Sequence, residues 1–112
     1  MKPLSGRKGA WMGKWVKVAK KNELPSGSGK VVSADGKELA LFNCDGTFYV
    51  LDNTCQHQGG PLGDGALDGK TVMCPWHGWE YDVTTGSCLT NPNVQQSSFK
   101  VKAEDDDIFI EV

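Results

Sequence analysis

From residue 15 onward the chain reads as short runs of alternating apolar and polar residues, cut repeatedly by Gly, Asp and Pro. A period of two is the mark of half-buried strands. Residues 15–19 predict a first strand. Residues 25–29 form a Pro/Ser/Gly turn cluster, and 30–33 predict a second short strand ended by Asp35-Gly36. The runs 37–44 and 47–51 flank Asp45-Gly46, and an Asp-Gly pair between two β-rich runs predicts a tight hairpin. A loop spans 53–62. Gly63-Asp64-Gly65 and Asp68-Gly69 then punctuate the way to a strand at 70–73. A further strand is predicted at 79–83, stopped by Thr84-Thr85-Gly86. Pro92 lies in a third loop, and 98–103 with 108–112 predict a closing hairpin across 104–107. No ten-residue stretch carries a helical period, and there is no repeat or low-complexity tract.

Composition agrees with a turn-rich β protein. Gly contributes 14 of 112 residues, against a usual share of about 7%. The length suits one domain, residues 1–112, with a modest core. No stretch near 18 apolar residues occurs, so no membrane span is expected. Residues 1–21 carry charge but no signal-type apolar run, which predicts a cytoplasmic protein. Charge is divided along the chain. Residues 1–30 hold eight Lys/Arg against Glu23, a net +7, while 31–112 hold four Lys against thirteen Asp/Glu, a net −9. Residues 1–14 read as a flexible basic tail, too short to predict a nucleic-acid partner. The acidic body would either steer a basic partner or serve only as a solubilising surface.

Candidate chemistry is concentrated in Cys55, His57, Cys74 and His77. They form Cys-x-His, sixteen residues, then Cys-x-x-His, within Cys55-Gln56-His57-Gln58-Gly59-Gly60-Pro61-Leu62 and Cys74-Pro75-Trp76-His77-Gly78-Trp79. Both histidines of the protein are in this set. Two thiolates and two imidazoles on paired short loops suit a soft-to-borderline metal centre. The remaining cysteines, Cys44 and Cys88, are expected as free buried thiols, although sequence does not exclude a disulfide between them.

The motif resembles the Rieske family, in which a [2Fe–2S] cluster has two Cys on one iron and two His on the other. The resemblance is strongest from 55 to 92 and weaker along the rest. It implies an all-β Rieske fold, with an antiparallel β-sandwich or barrel base made by both ends of the chain. A small cluster-binding subdomain, about 53–92, is inserted in that base. It implies a [2Fe–2S] cofactor held by Cys55, His57, Cys74 and His77, with the histidines on the reducible iron at an exposed tip. Around these, Gly59, Gly60 and Gly78 would either let backbone approach the cluster and donate N–H groups to its sulfurs or serve as plain turn glycines, and the two motifs together favour the first. Trp76 and Trp79 would serve either as a docking surface or as core aromatics. Pro92 either belongs to a third loop capping the cluster or is a turn proline.

The charge of such a centre explains its use. Two thiolates and two neutral imidazoles around two ferric ions and two sulfides carry no net charge, whereas four thiolates leave −2. An electron therefore enters the Rieske centre more easily, at about −150 to +300 mV against about −400 mV for plant-type ferredoxins. The respiratory branch of the family has a second Cys in each loop and a Ser and a Tyr hydroxyl on the sulfurs. Here those positions are Gly60, Trp76 and Trp79, and only Tyr81 matches, which implies a potential low in the range. The wording around Cys55 and His77 is similar to ferredoxins and oxygenase domains of aromatic-ring dioxygenase systems. At 112 residues there is no room for a catalytic iron domain. The resemblance thus implies a ferredoxin that is not itself an enzyme. It would take electrons from a flavin-dependent reductase and pass them to an oxygenase or other oxidoreductase, with no nucleic-acid or membrane partner. The alternative is a Rieske-like small subunit of a nitrite reductase or another multi-component oxidoreductase. A structural zinc site would use the same donors, but the Cys-x-His half and the Gly/Pro-rich loops fit an iron–sulfur centre better.

Overall fold

The computed structural model of the chain describes residues 14–56, 59–76 and 78–112. Among the described residues, ten strands form three antiparallel sheets: β1 (Trp15–Lys20), β2 (Ser28–Ala34), β3 (Lys37–Cys44), β4 (Thr47–Asp52), β5 (Ala66–Asp68), β6 (Thr71–Met73), β7 (Glu80–Asp82), β8 (Ser98–Phe99), β9 (Val101–Glu104) and β10 (Asp107–Glu111). The sheet orders are β1-β10-β9, β2-β3-β4-β8 and β5-β6-β7. Short 3-10 turns at Lys21–Glu23 and Leu62–Asp64 are the helical elements among the described residues.

The middle sheet is the wall between two cores, and β3 shows why. Leu39, Ala40, Leu41, Phe42, Asn43 and Cys44 are all buried, so this strand is a continuous buried run instead of an alternating one. Successive side chains leave a strand on opposite faces. Leu39 and Leu41 therefore enter one core with Ala19, Val32, Val50, Ile108 and Ile110. Ala40, Phe42 and Cys44 enter the other with Leu51, Cys55, Leu62, Val72, Cys74, Tyr81, Val83 and Cys88. The first core is closed by the β1-β10-β9 sheet, the second by β5-β6-β7 and the candidate ligand loops.

The hairpins follow the sequence signals. Asp35 and Gly36 have φ of 53° and 81°, and Asp45 and Gly46 have 55° and 92°. Two consecutive positive φ values match the right-handed twist of the flanking strands. In the second turn the Asn43 Oδ1 accepts the Gly46 N–H at 2.8 Å.

Five details depart from the sequence reading. β2 begins at Ser28, inside the predicted turn cluster, because Ser28 and Gly29 pair with Asn43 and Phe42. β5, unrecognised among the glycines, pairs Ala66 with Met73 and Asp68 with Thr71. Trp79 lies just before its strand. The predicted strand 98–103 is cut at Lys100: β8 pairs with β4, and β9 pairs with β10. The chain thus changes sheets there. Lys14, placed by sequence in the tail, exchanges backbone hydrogen bonds of 2.9 and 3.0 Å with Val112. The rest of the predicted tail lies outside the described residues.

Candidate metal centre

The loop after β4 is pinched at its base. The Leu62 N–H donates to the Asn53 carbonyl at 2.8 Å, and the Gly63 N–H to the buried Asn53 Oδ1 at 2.8 Å. Gln96, from the segment before β8, donates through Nε2 to the carbonyls of Asp52 and Thr54 at 2.7 and 2.6 Å. Cys55 is held directly above this base. Its N–H donates to the Gly60 carbonyl at 2.9 Å, and its carbonyl accepts the Gly59 N–H at 2.8 Å, so that N–H meets a backbone oxygen and not, as expected from the sequence, a sulfur. Gly59 has φ of +78°, a conformation that costs a side-chain-bearing residue about 1 kcal/mol.

The second loop leaves β6 and returns into β7. The Cys74 N–H donates to the Trp79 carbonyl at 2.7 Å, and Gly78, with φ of +75°, makes the return. A third loop closes behind them. The Cys88 N–H donates to the Val94 carbonyl at 3.1 Å, the Asn91 N–H points at the Cys88 sulfur at 3.3 Å, and Pro92 is exposed at its tip. Gln56 Nε2 reaches the Gln95 carbonyl at 3.5 Å, joining the first and third loops.

These loops bring Cys55 and Cys74 together. Both thiols are 2% exposed and lie within hydrogen-bonding reach of each other. Burial pushes the Cys74 thiol above its ordinary pKa, opposed by the backbone N–H of Trp76, which is directed at the sulfur. The Tyr81 hydroxyl lies 3.3 Å from the Cys55 sulfur and accepts the Gln56 N–H at 3.1 Å. Burial, and then the Cys55 thiol, push the tyrosine pKa far upward. Gly60 completes the cradle: a Cβ there would sit 2.7 Å from the Cys74 sulfur and 2.9 Å from the Trp76 Cγ.

The donor set fits a metal–sulfur centre. Two adjacent thiolates in a buried site repel each other and lose hydration. A cation bound between them removes both penalties, and the N–H and O–H donors already aimed at the sulfurs suit their charged form. Trp76 is 51% exposed, whereas Trp79 is half-buried against the core that holds the thiols. The two tryptophans, which sequence left undecided, therefore differ. His57 and His77 lie outside the described residues. Cys44 and Cys88 are free buried thiols. Asn53 and Gln96, which staple the first loop, had no signal in the sequence, since their partners are carbonyls with no side-chain signature.

Residues 14–104 match the family model of the Rieske [2Fe-2S] domain. The chain is 36% identical over 100 residues to the ferredoxin component of the naphthalene 1,2-dioxygenase system of Pseudomonas aeruginosa, covering 88% of this chain and 96% of that protein. A chain in the solved complex of reduced oxygenase and oxidised ferredoxin of carbazole 1,9a-dioxygenase aligns with a TM-score of 0.80 at 29% identity, over 87% of this chain and 92% of that one. A protein described as the small subunit of an NADPH nitrite reductase aligns with a TM-score of 0.76 at 19% identity, over 88% of this chain and 99% of that one, a likeness of fold alone. The chain belongs to the Rieske [2Fe–2S] domain family. Its cofactor is the [2Fe–2S] cluster.

Proposed function

We propose that this protein is a Rieske-type ferredoxin that moves single electrons from a flavin-dependent reductase to a terminal oxygenase. In this role it is an electron-transfer component and not a catalyst, and it works in the cytoplasm. The observation that carries the reading is the Cys55–Cys74 pair, buried side by side, with N–H and O–H donors from Trp76 and Tyr81 directed at the sulfurs. Cys55 and Cys74 would hold one iron and His57 and His77 the other. When bound, the cluster supplies a one-electron couple. Tyr81 and the Trp76 N–H offset the negative charge on the sulfurs, and the core around Phe42, Leu51, Leu62 and Val72 keeps water from them. Likeness to the P. aeruginosa dioxygenase ferredoxin over nearly the whole length of both chains supports the shuttle role. The carbazole oxygenase–ferredoxin complex supports an oxygenase as acceptor. Among the described residues no helix is long and apolar enough to cross a membrane.

Purification with iron and sulfide should give a red-brown protein with a rhombic electron paramagnetic resonance signal on reduction. A flavin reductase with NAD(P)H should reduce it by one electron per chain. A colourless zinc-bearing chain would overturn the proposal. The small-subunit reading of a nitrite reductase is supported by fold likeness alone.

A further inference from the structure

The β5-β6-β7 sheet has a buried face, carrying Val72 and Tyr81, and an open face. Ala66, Asp68, Thr71, Met73 and Glu80 on the open face, with Leu89 beside them, line a cavity of about 320 Å³. Met73 is 43% and Leu89 53% exposed. No described residue pairs with the carboxylate of Asp68 or Glu80. The four ion pairs found among the described residues, Lys14–Asp35, Lys17–Asp107, Lys30–Glu23 and Lys102–Glu104, all lie elsewhere. Lys70, the nearest cation in sequence, lines a different cavity with Cys44.

We infer that this open face is the docking surface for the electron acceptor, and that it receives a basic side chain from that protein. The inference rests on the proposed carrier role. Its chemistry is specific. An arginine or lysine lays an apolar stem along Met73 and Leu89 and brings its charged head to Asp68 and Glu80. The face is also continuous with the candidate centre. Met73 and Glu80 are a cross-strand pair that brackets the loop carrying Cys74 and Trp76. The Leu89 N–H donates to the Glu80 carbonyl at 2.7 Å. A partner seated here lies against that loop.

The test uses the cluster-loaded protein and, as probe, a lysine-rich c-type cytochrome. One electron passes from the reduced protein to the ferric haem, which becomes ferrous, and stopped-flow absorbance follows the rate. The double variant Asp68→Lys/Glu80→Lys should lose about tenfold in rate at low ionic strength, with a flattened salt dependence. Asp106→Lys/Glu104→Lys, an equal change of net charge at exposed sites on the β9–β10 turn, should stay within about twofold. Leu89→Ser should slow transfer even at high salt, where charge is screened. Unchanged paramagnetic spectra and midpoints in all variants establish that the centre is intact. Equal losses in the two double variants would overturn the docking face and leave only overall charge. If the wild-type protein had no Rieske signal and reduced no cytochrome, the carrier role itself would fail.

Discussion

The Tyr81 hydroxyl lies 3.3 Å from the Cys55 sulfur while accepting the Gln56 N–H at 3.1 Å. The charge state of Cys55 decides the direction of the first contact. With one oxygen lone pair occupied by the Gln56 N–H, and with Cys55 as a thiolate, only the phenolic hydrogen can bridge oxygen and sulfur. Burial and the neighbouring Cys55 hold the phenol protonated. The donor therefore persists across the working pH range, and it strengthens as negative charge accumulates on the sulfur.

Tyr81→Phe removes that donor and should lower the midpoint potential by about 20–60 mV. This corresponds to about 0.5–1.5 kcal/mol for one net hydrogen bond, at 59 mV per tenfold change. Protein-film voltammetry reads it directly. A midpoint that stayed put or rose would show that the hydroxyl does not donate to a cluster-bearing sulfur.

Ligand replacement separates the four cysteines. Cys55→Ser, Cys74→Ser, His57→Ala and His77→Ala should each abolish the visible and paramagnetic signature of the cluster, since each iron loses one of two protein ligands. Cys44→Ser and Cys88→Ser should keep it, because both lie outside the Cys-x-His and Cys-x-x-His motifs and pack in the core. A bleached Cys44→Ser protein would refute the assignment of ligands.

Gly60→Ala tests the cradle. Its Cβ would stand 2.7 Å from the Cys74 sulfur, so the second loop must shift by a few tenths of an ångström. The g-values and visible dichroism of the loaded protein should change, with a stability loss of about 1–3 kcal/mol from overpacking. Identical spectra would mean that Gly60 does not set the position of Cys74.

Gly86→Ala and Gly27→Ala compare crowding with backbone strain. Both glycines have φ of +83°, but a Cβ at Gly86 meets the Gln96 carbonyl whereas nothing lies within 4 Å at Gly27. Gly27→Ala should cost about 1 kcal/mol, and Gly86→Ala at least about 2 kcal/mol, strain plus overpacking. Urea denaturation of the loaded proteins measures the difference. Equal losses would remove the crowding argument.

Features set by local chemistry were legible in the sequence alone. The Asp-Gly turns at 35–36 and 45–46 follow from a backbone requirement at those residues themselves, and Lys37–Cys44 followed from its own apolar run. The pairing of Cys and His in two short motifs announced the chemistry, because ligand spacing within a loop is a local property. What tertiary structure decided are relations between distant segments. The strand at 98–103 looks continuous because alternation runs through Lys100; only its two partners, β4 and β10, divide it. β5 is three residues long, too short for any period to show, and exists through its pairing with β6. Tyr81 reaches Cys55 across 26 residues, and Gln96 reaches Thr54 across 42. A side chain's partner is fixed by how the sheets stack, and the alternation of one strand carries no record of which strand will lie against it.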